Sequence, residues 1–374
     1  MAKRKLTRKQ NWRIQKVQDE KAQRLEKKLA NSEVQGHLGA EQEGLVVSHF
    51  GTFVEVEPVL IEGVEAKDHE GIEDNASAET CSTGILGSEG NVRCHFRANI
   101  GSIVTGDKVV WRQGKDGYGV IEVVLPRGAL LSRPDPRGKL KPVAANIDFL
   151  VLVVTPEPTP SSMLIDRYLV AAELQNIDVK ILLNKTDLLN EDNQPKIEAL
   201  LRMYEDIGYE VMRSSVVTSE GLVLLKQQLD NNISVFVGQS GVGKSSLVNS
   251  LLPGVDLKVA ELSEGSKLGR HTTTNARLFH FPDGGELIDS PGIREFGLWH
   301  LSPENVIDGY RDFQEHVVMC RFRDCKHDRE PGCALQLAVE KGEVSEQRFH
   351  NYFNILDILA VSYKHLALPT KRLG

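Results

Sequence analysis

"LLNKTDLL", residues 182–189, decides how this chain folds. An apolar run delivers a short polar loop, Asn184-Lys185-Thr186-Asp187, in the manner of a buried strand ending at a ligand edge. A second ligand-type pattern, "GQSGVGKSS" at 238–246, stands further along the chain. In the usual arrangement of a nucleotide-binding domain the phosphate loop comes first. Either one match is accidental, or the parts of such a domain have been re-ordered.

The second pattern is the more specific. Gly238-Gln239-Ser240-Gly241-Val242-Gly243-Lys244-Ser245 fits G-x-x-x-x-G-K-[ST] without a mismatch, and Ser246 follows in the same turn. "ISVFV" before it predicts a strand and "SSLVNSLL" after it a helix opening at Lys244, which is the setting the motif requires. Glycines let backbone N–H groups face phosphate oxygens, and the helix N-terminus adds partial positive charge. Lys244 is the catalytic cation between β- and γ-phosphates, and the Ser245 hydroxyl is a Mg²⁺ ligand. Asp289-Ser-Pro-Gly292 closes another predicted strand, with Asp289 as a second Mg²⁺ ligand and the Gly292 N–H as the group that senses the γ-phosphate. Between them "SKLGRHTTTNARL" reads as a switch loop in which one of Thr272, Thr273 and Thr274 completes the Mg²⁺ shell, Thr273 being assigned.

Asp187 gives the base. Its carboxylate accepts both N1–H and the 2-amino group of guanine, whereas adenine offers a lone pair at N1 and no 2-amino group. A charged hydrogen bond left unmet costs roughly 1.5–3 kcal/mol, and a site built on such bonds rejects analogues by ~10⁴-fold. Asn184 supports the loop and the base edge, the Lys185 stem packs along the ring, and Thr186 completes the turn. "SSVVTSEG" at 214–221 places Ser214 and Ser215 where the guanine O6 is met. Read from strand 233 onward and then back to strand 149, the elements fall into the order phosphate loop, switch loop, D-x-x-G, N-K-x-D, Ser-Ser loop. Sheet packing depends on spatial neighbours, so joining old termini and opening a surface loop preserves it. The expectation is a circularly permuted GTPase. Many GTPases carry a water-orienting glutamine where Ile293 stands here. Hydrolysis should therefore be slow unaided, with His271 as the candidate catalytic group and an exposed loop histidine as the alternative reading. Because the chain leaves D-x-x-G directly for its C-terminal part, movement of that loop should pull on residues 300–374.

Around this centre, 374 residues leave room for further domains. Residues 1–40 form a basic, disordered tail: the first thirty residues carry +8, leaving −15 for the rest. The tail is either a solvated arm or one that neutralises phosphates. From 41 to 132, "GLVVSHFGTFVEV", "NVRCHFRA", "GDKVVWR" and "GYGVIEVVL" read as short strands of an OB-fold-like barrel. From 133 to 300, strands alternate with helices as in a mainly parallel sheet. No apolar stretch reaches the ~18 residues of a membrane span, and no secretory signal is visible. A cytoplasmic protein without a membrane partner is expected.

Residues 301–374 form the last domain. "CRFRDCKHDREPGC" gathers Cys320, Cys325, His327 and Cys333, three thiols and an imidazole. That is a closed tetrahedral set for one structural Zn²⁺, with no position left for water. Arg321, Arg323, Lys326 and Arg329 decorate the same loop, as a phosphate-facing surface or as plain solvated charge.

Taken together, "NKTD", "GQSGVGKSS", "DSPG" and the Cys320/Cys325/His327/Cys333 knuckle resemble the bacterial small-ribosomal-subunit-dependent GTPase family (RsgA/YjeQ), over roughly residues 41–360. Ile293 also matches the family, which has an apolar residue there. The resemblance implies a monomeric GTP hydrolase that binds the 30S subunit and 16S rRNA, is stimulated by that subunit, and acts late in its maturation. A GTPase switch acting on a protein or membrane partner, and an RNA chaperone holding GTP as a conformational ligand, are the alternatives. The acidic stretch 55–79, nine acids against one lysine, lies inside the expected barrel.

Overall fold

The computed structural model describes residues 38–59, 90–96, 100–114, 117–134, 140–252, 276–289 and 303–367. The N-terminal tail up to residue 37, the stretch around His271 and Thr272–Thr274, and Gly292 with Ile293 lie outside them.

Five short strands come first: β1 (Glu41–His49), β2 (Val54–Pro58), β3 (Val92–Phe96), β4 (Lys108–Gln113) and β5 (Gly119–Val124). They pair in the order β1-β2-β3-β5-β4, and β4 returns to β1, so the ribbon closes into a barrel without a free edge. Val46, Val54, Val56, Cys94, Val109, Trp111 and Ile121 point inward at alternate positions and fill it. Gly119 makes room for the largest of them. A Cβ there would lie 2.4 Å from Cys94 Sγ and 2.8 Å from the Trp111 ring.

A hairpin, β6 (Leu130–Pro134) with β7 (Leu140–Ala145), leads into the α/β region. There β8 (Phe149–Val154), α1 (Ser162–Glu173), β9 (Asp178–Leu183), α2 (Gln194–Asp206), β10 (Glu210–Arg213), α3 (Leu222–Leu229), β11 (Ile233–Val237) and α4 (Lys244–Leu251) alternate, followed by β12 (Arg277–His280) and β13 (Glu286–Asp289). β8 and β11, "FLVLVV" and "ISVFV", are buried along their whole length, as central strands covered on both faces must be. The sheet order is β10-β9-β8-β11-β13-β12, all parallel except β12. Renumbered from β11, that order reads 6-5-4-1-3-2, and among the described residues no strand is missing or doubled. The rotated order expected from the motifs is thus the order in space. β1 of the barrel adds onto β12 through Ser48 and Arg277, so barrel and sheet are continuous.

After residue 302 come α5 (Pro303–Val306), α6 (Gln314–Val317), α7 (Ala334–Glu340) and the long α8 (Glu346–Ala367). Tyr310 stacks on Phe313 at 4.4 Å, with Tyr352 edge-on to both, and this cluster packs with Leu169, Val170 and Ile165 of α1 in one core. Gly309 crosses α1 so closely that a Cβ would stand 2.7 Å from Val170 Cγ1. Beneath this contact Arg348 of α8 is fully enclosed. It donates to Asp166 of α1 and, at 2.8 and 3.0 Å, to Asp312, while Asn351 Nδ2 reaches Asp166 at 2.6 Å.

Candidate functional site

Because β8, β9, β10, β11 and β13 run parallel, their carboxyl ends open on one edge of the sheet, where ligand loops of such folds lie. β11 ends at Val237, and Gly238 turns the chain with φ 137; a Cβ there would meet the Val153 carbonyl oxygen of β8 at 2.4 Å. Gly241 (φ 84) and Gly243 (φ 92) are left-handed, conformations that glycine adopts without strain. Helix α4 starts at Lys244, as the motif predicts, with Ser245 and Ser246 in its first turn. Lys244 folds back over the loop, its Nζ donating to the carbonyls of Gly238 (2.7 Å) and Gln239 (2.5 Å). Ser240 lies at the exposed crown of the turn and Val242 is buried beneath it.

The Asn184–Asp187 loop leaves β9 and settles directly on this turn. Asn184 is buried: its backbone N–H donates to the Val154 carbonyl at 2.8 Å and its Nδ2 to the Val242 carbonyl at 2.9 Å. Lys185, itself left-handed at φ 59, donates from Nζ to the Gly241 carbonyl at 2.9 Å. A Cβ on Gly243 would collide with Asn184 Nδ2 at 2.6 Å, so that glycine admits the second loop as well as turning the first. Two motifs far apart in sequence, and in reversed order, therefore share one site.

The Ser-Ser loop packs against the Asn184–Asp187 loop. Ser214 Oγ donates to Asn184 Oδ1 at 3.3 Å, and Ser215 Oγ donates to Asp187 Oδ1. The Thr186 N–H donates to the Ser214 carbonyl at 3.2 Å, so the loops after β9 and β10 are tied to each other. Asp187 is exposed at the rim of this assembly, with its carboxylate oriented by Ser215. Two residues that the motif reading passes over hold the rim. Glu220 accepts from Thr186 Oγ1 at 2.8 Å, and its backbone carbonyl accepts from the Ser215 N–H at 3.0 Å. Gly221 is left-handed at φ 68, and a Cβ there would lie 1.9 Å from the Arg213 carbonyl oxygen. Their signal in the sequence is only the Ser-Glu-Gly turn that ends the loop.

At the opposite end Asp289 closes β13, the parallel neighbour of β11, and so leaves the sheet on the phosphate-loop edge. The Ser245 hydroxyl and the Asp289 carboxylate are hard oxygen donors of the kind that Mg²⁺ takes. His271, Thr273 and Gly292 fall outside the described residues. A cavity of about 540 Å³ opens elsewhere, between α2 and α8. Glu198, Asp206, Asp312 and Glu343 line it against Arg202 and an Arg348 already bonded to two carboxylates, a lining that repels a triphosphate.

The second centre lies before α7. Cys320 Sγ stands 3.6 Å from His327 Nδ1 and 3.9 Å from Cys333 Sγ, His327 Nδ1 is 3.4 Å from Cys333 Sγ, and all four donor atoms including that of Cys325 lie within 4.8 Å of one another. Bonds of ~2.3 Å to sulfur and ~2.0 Å to nitrogen in a tetrahedron put neighbouring donors ~3.5–3.8 Å apart. The cluster has the dimensions of a single-metal cage. Burial pushes the Cys333 thiol up to about 12, so a bound cation is what would make it a thiolate at neutral pH. Gln336, unremarked in the sequence, supports the cage: its N–H points at Cys333 Sγ (3.5 Å) and its Nε2 donates to the His327 carbonyl (2.9 Å). Glu330 ties the knuckle by accepting from the N–H groups of Lys326, Asp328 and Arg329.

Comparisons agree with this geometry. The family model described as RsgA GTPase matches residues 124–299. A protein of Pseudomonas fluorescens (strain SBW25) named small ribosomal subunit biogenesis GTPase RsgA is 55% identical over 365 residues, 97% of this chain and 99% of the relative. A protein of the same name from Pseudomonas putida (strain KT2440) is 52% identical over 364 residues, 96% of this chain and 99% of the relative. Among solved structures, YjeQ from Thermotoga maritima superposes with a TM-score of 0.65 at 32% identity, covering 86% of this chain and 99% of that one. YloQ, described as a circularly permuted GTPase, does so at 0.62 and 25%, covering 88% and 97%.

Proposed function

This chain belongs to the RsgA GTPase family, and from that premise we propose how its own residues carry out GTP hydrolysis in the service of small-subunit biogenesis. The observation that carries the reading is the pair of 2.9 Å bonds from Asn184 and Lys185 to the carbonyls of Val242 and Gly241, which make the base-reading and phosphate loops one site.

Guanine is read by Asp187, oriented by Ser215, with Asn184, Lys185, Thr186 and Ser214 forming the seat. The triphosphate lies along Gly238–Ser246, where left-handed glycines turn amides inward and the α4 N-terminus adds positive potential. Lys244 exchanges its bonds to the Gly238 and Gln239 carbonyls for phosphate oxygens, meeting charge that grows on them in the transition state. Ser245, Asp289 and a switch-loop threonine, Thr273, would hold Mg²⁺, which would supply charge neutralisation at the phosphates. Gly292 senses the γ-phosphate and His271 orients the attacking water. Cys320, Cys325, His327 and Cys333 hold one structural Zn²⁺, a reading supported by the soft thiol-rich donor set and its tetrahedral dimensions.

The partner is the 30S subunit, met through 16S rRNA late in maturation by a monomeric cytoplasmic protein that the subunit stimulates. Support comes from the names of the relatives and from a closed five-stranded barrel of the kind that binds oligonucleotides. Tail 1–40, barrel 41–132, GTPase domain 133–300 and metal domain 301–374 are its parts. GTP turnover measured with and without purified 30S subunits, across salt concentrations, tests the proposal. Stimulation that fades as salt rises is expected; turnover indifferent to subunits refutes the partner, and turnover indifferent to Lys244→Ala refutes the site.

A further inference from the structure

β12 is the strand on which barrel and nucleotide site meet, and the barrel grips it at both ends. At its start the Ala276 carbonyl accepts from Thr105 Oγ1 at 2.9 Å and from Ser48 Oγ at 3.4 Å. Both hydroxyls belong to residues almost without solvent exposure, 1% and 3%, so water does not compete for them. Ser48 is also the backbone partner of Arg277, and Arg277 is in turn the partner of Asp289. One row across the sheet therefore joins a barrel residue to the carboxylate at the phosphate end of the site. At the far end of β12, His280 Nε2 stands 2.6 Å from Glu57 Oε2 of β2.

Thr105 sits in a bracket that cannot easily shift. Its carbonyl accepts from the Ala145 N–H at 2.9 Å. Gly106 (φ 88) donates to the Val46 carbonyl at 2.8 Å, in a place where a Cβ would lie 2.2 Å from the Ala145 carbonyl oxygen. Asp107, wholly buried, accepts from the Val104 N–H at 2.8 Å and from Arg127 Nε and Nη2 at 2.6 and 2.7 Å. A rigid bracket on the barrel thus presents one hydroxyl to one carbonyl of a four-residue strand.

Resting on the GTPase reading above, we infer that Thr105 and Ser48 are positioning residues for GTP hydrolysis. They fix β12 in place and, through the Arg277–Asp289 pair, set where the Asp289 carboxylate stands relative to the phosphate loop. Neither touches nucleotide; both act through β12.

Thr105→Val keeps the side-chain shape and removes only the hydroxyl, and Ser48→Ala removes the other. In the full chain, the double variant is expected to bind a fluorescent GDP analogue within about twofold of wild type, because the Asp187 and Lys244 loops are untouched. Its kcat is expected to fall about fivefold, a factor that the two hydrogen bonds lost to the Ala276 carbonyl together supply. The Mg²⁺ concentration that half-maximally slows release of the GDP analogue is expected to rise by a similar factor. Thr105→Ser, which keeps the hydroxyl, should stay near wild type in all three. Loss of folded fraction alone lowers kcat and leaves the Mg²⁺ midpoint where it was. That pattern, or wild-type kcat and midpoint in the double variant, overturns the inference. Should the double variant fail to fold, Ser48→Ala alone carries the same readouts with an effect of about twofold, and no effect overturns it. Failure of the underlying reading is distinguishable, since Lys244→Ala would then hydrolyse GTP as fast as wild type.

Discussion

Asp187 illustrates how much a single acceptor decides. Ser215 donates to one of its oxygens at the rim of the loop, and in the proposed site that carboxylate is the acceptor for the paired N1–H and 2-amino donors of guanine. Asp187→Asn replaces one acceptor by an N–H donor, which faces the 2-amino group of guanine unfavourably but matches the C2 carbonyl of xanthine. Affinity for GDP should fall at least ~100-fold and affinity for XDP should rise by a comparable factor, in line with ~10²–10⁴-fold discrimination by sites built on such bonds. Titration with both nucleotides checks it, and unchanged GDP binding would remove Asp187 from the base pocket. This residue stands out in the sequence because a guanine edge calls for a carboxylate after a buried strand. Glu220 does not, although it locks Thr186 at 2.8 Å, because any acceptor in a polar turn carries the same signature until the fold brings it near.

Elements were legible where one period dominates. The all-apolar β8 and β11, and α2 with Ile197, Leu201 and Tyr204 on one face, declare themselves. The hairpin of β6 and β7 did not, since Pro134, Pro142 and charged residues break its alternation, and its register carries a bulge between Leu131 and Ser132. Equally hidden was the joint between α1 and α8, whose polar residues are 182 positions apart. Burial pushes the Asp166 carboxyl up to about 6, although Arg348, Asn351 and Tyr204 all bond to it. Arg348→Met would leave that carboxyl enclosed without its counter-charge, at a cost of roughly 3–5 kcal/mol at pH 8. At pH 5, below the value of about 6, Asp166 takes up a proton and the penalty shrinks. Urea denaturation followed by circular dichroism at the two pH values measures the difference, and equal losses at both would contradict it. The metal cage makes a separate prediction. Cys325→Ser should lower bound metal from one per chain toward none and raise hydrogen exchange before α7, while GDP affinity stays within about twofold. The hydrogen bonds of its donor atoms run to His316, to Gln336 and to one another, and its thiols lie in a core shared with α1.

At the scale of the molecule, rotating the chain's starting point left every sheet neighbour in place, and it also placed the barrel beside β12. No sequence pattern announces that contact, because β1 reads as an ordinary barrel strand and β12 as an ordinary sheet edge. Two acids of the 55–79 stretch are consumed in ion pairs, Glu55 with Arg93 inside the barrel and Glu57 with His280 across the seam. His280 is held by Glu286 on its own sheet and Glu57 on the barrel, and these raise its pKa to about 9 against the opposing effect of burial. Since the folded value lies above the ordinary 6.5, the latch contributes fully below about pH 6.5 and is lost as pH rises through about 9. His280 is half exposed, so solvent screening keeps the effect small. His280→Ala should therefore lower the melting temperature by about 2 °C at pH 6 and by nearly nothing at pH 10, with the gap closing between pH 7 and 9.5. A gap that stays constant across that range would mean that His280 contributes packing alone and that its charge does not join the two domains.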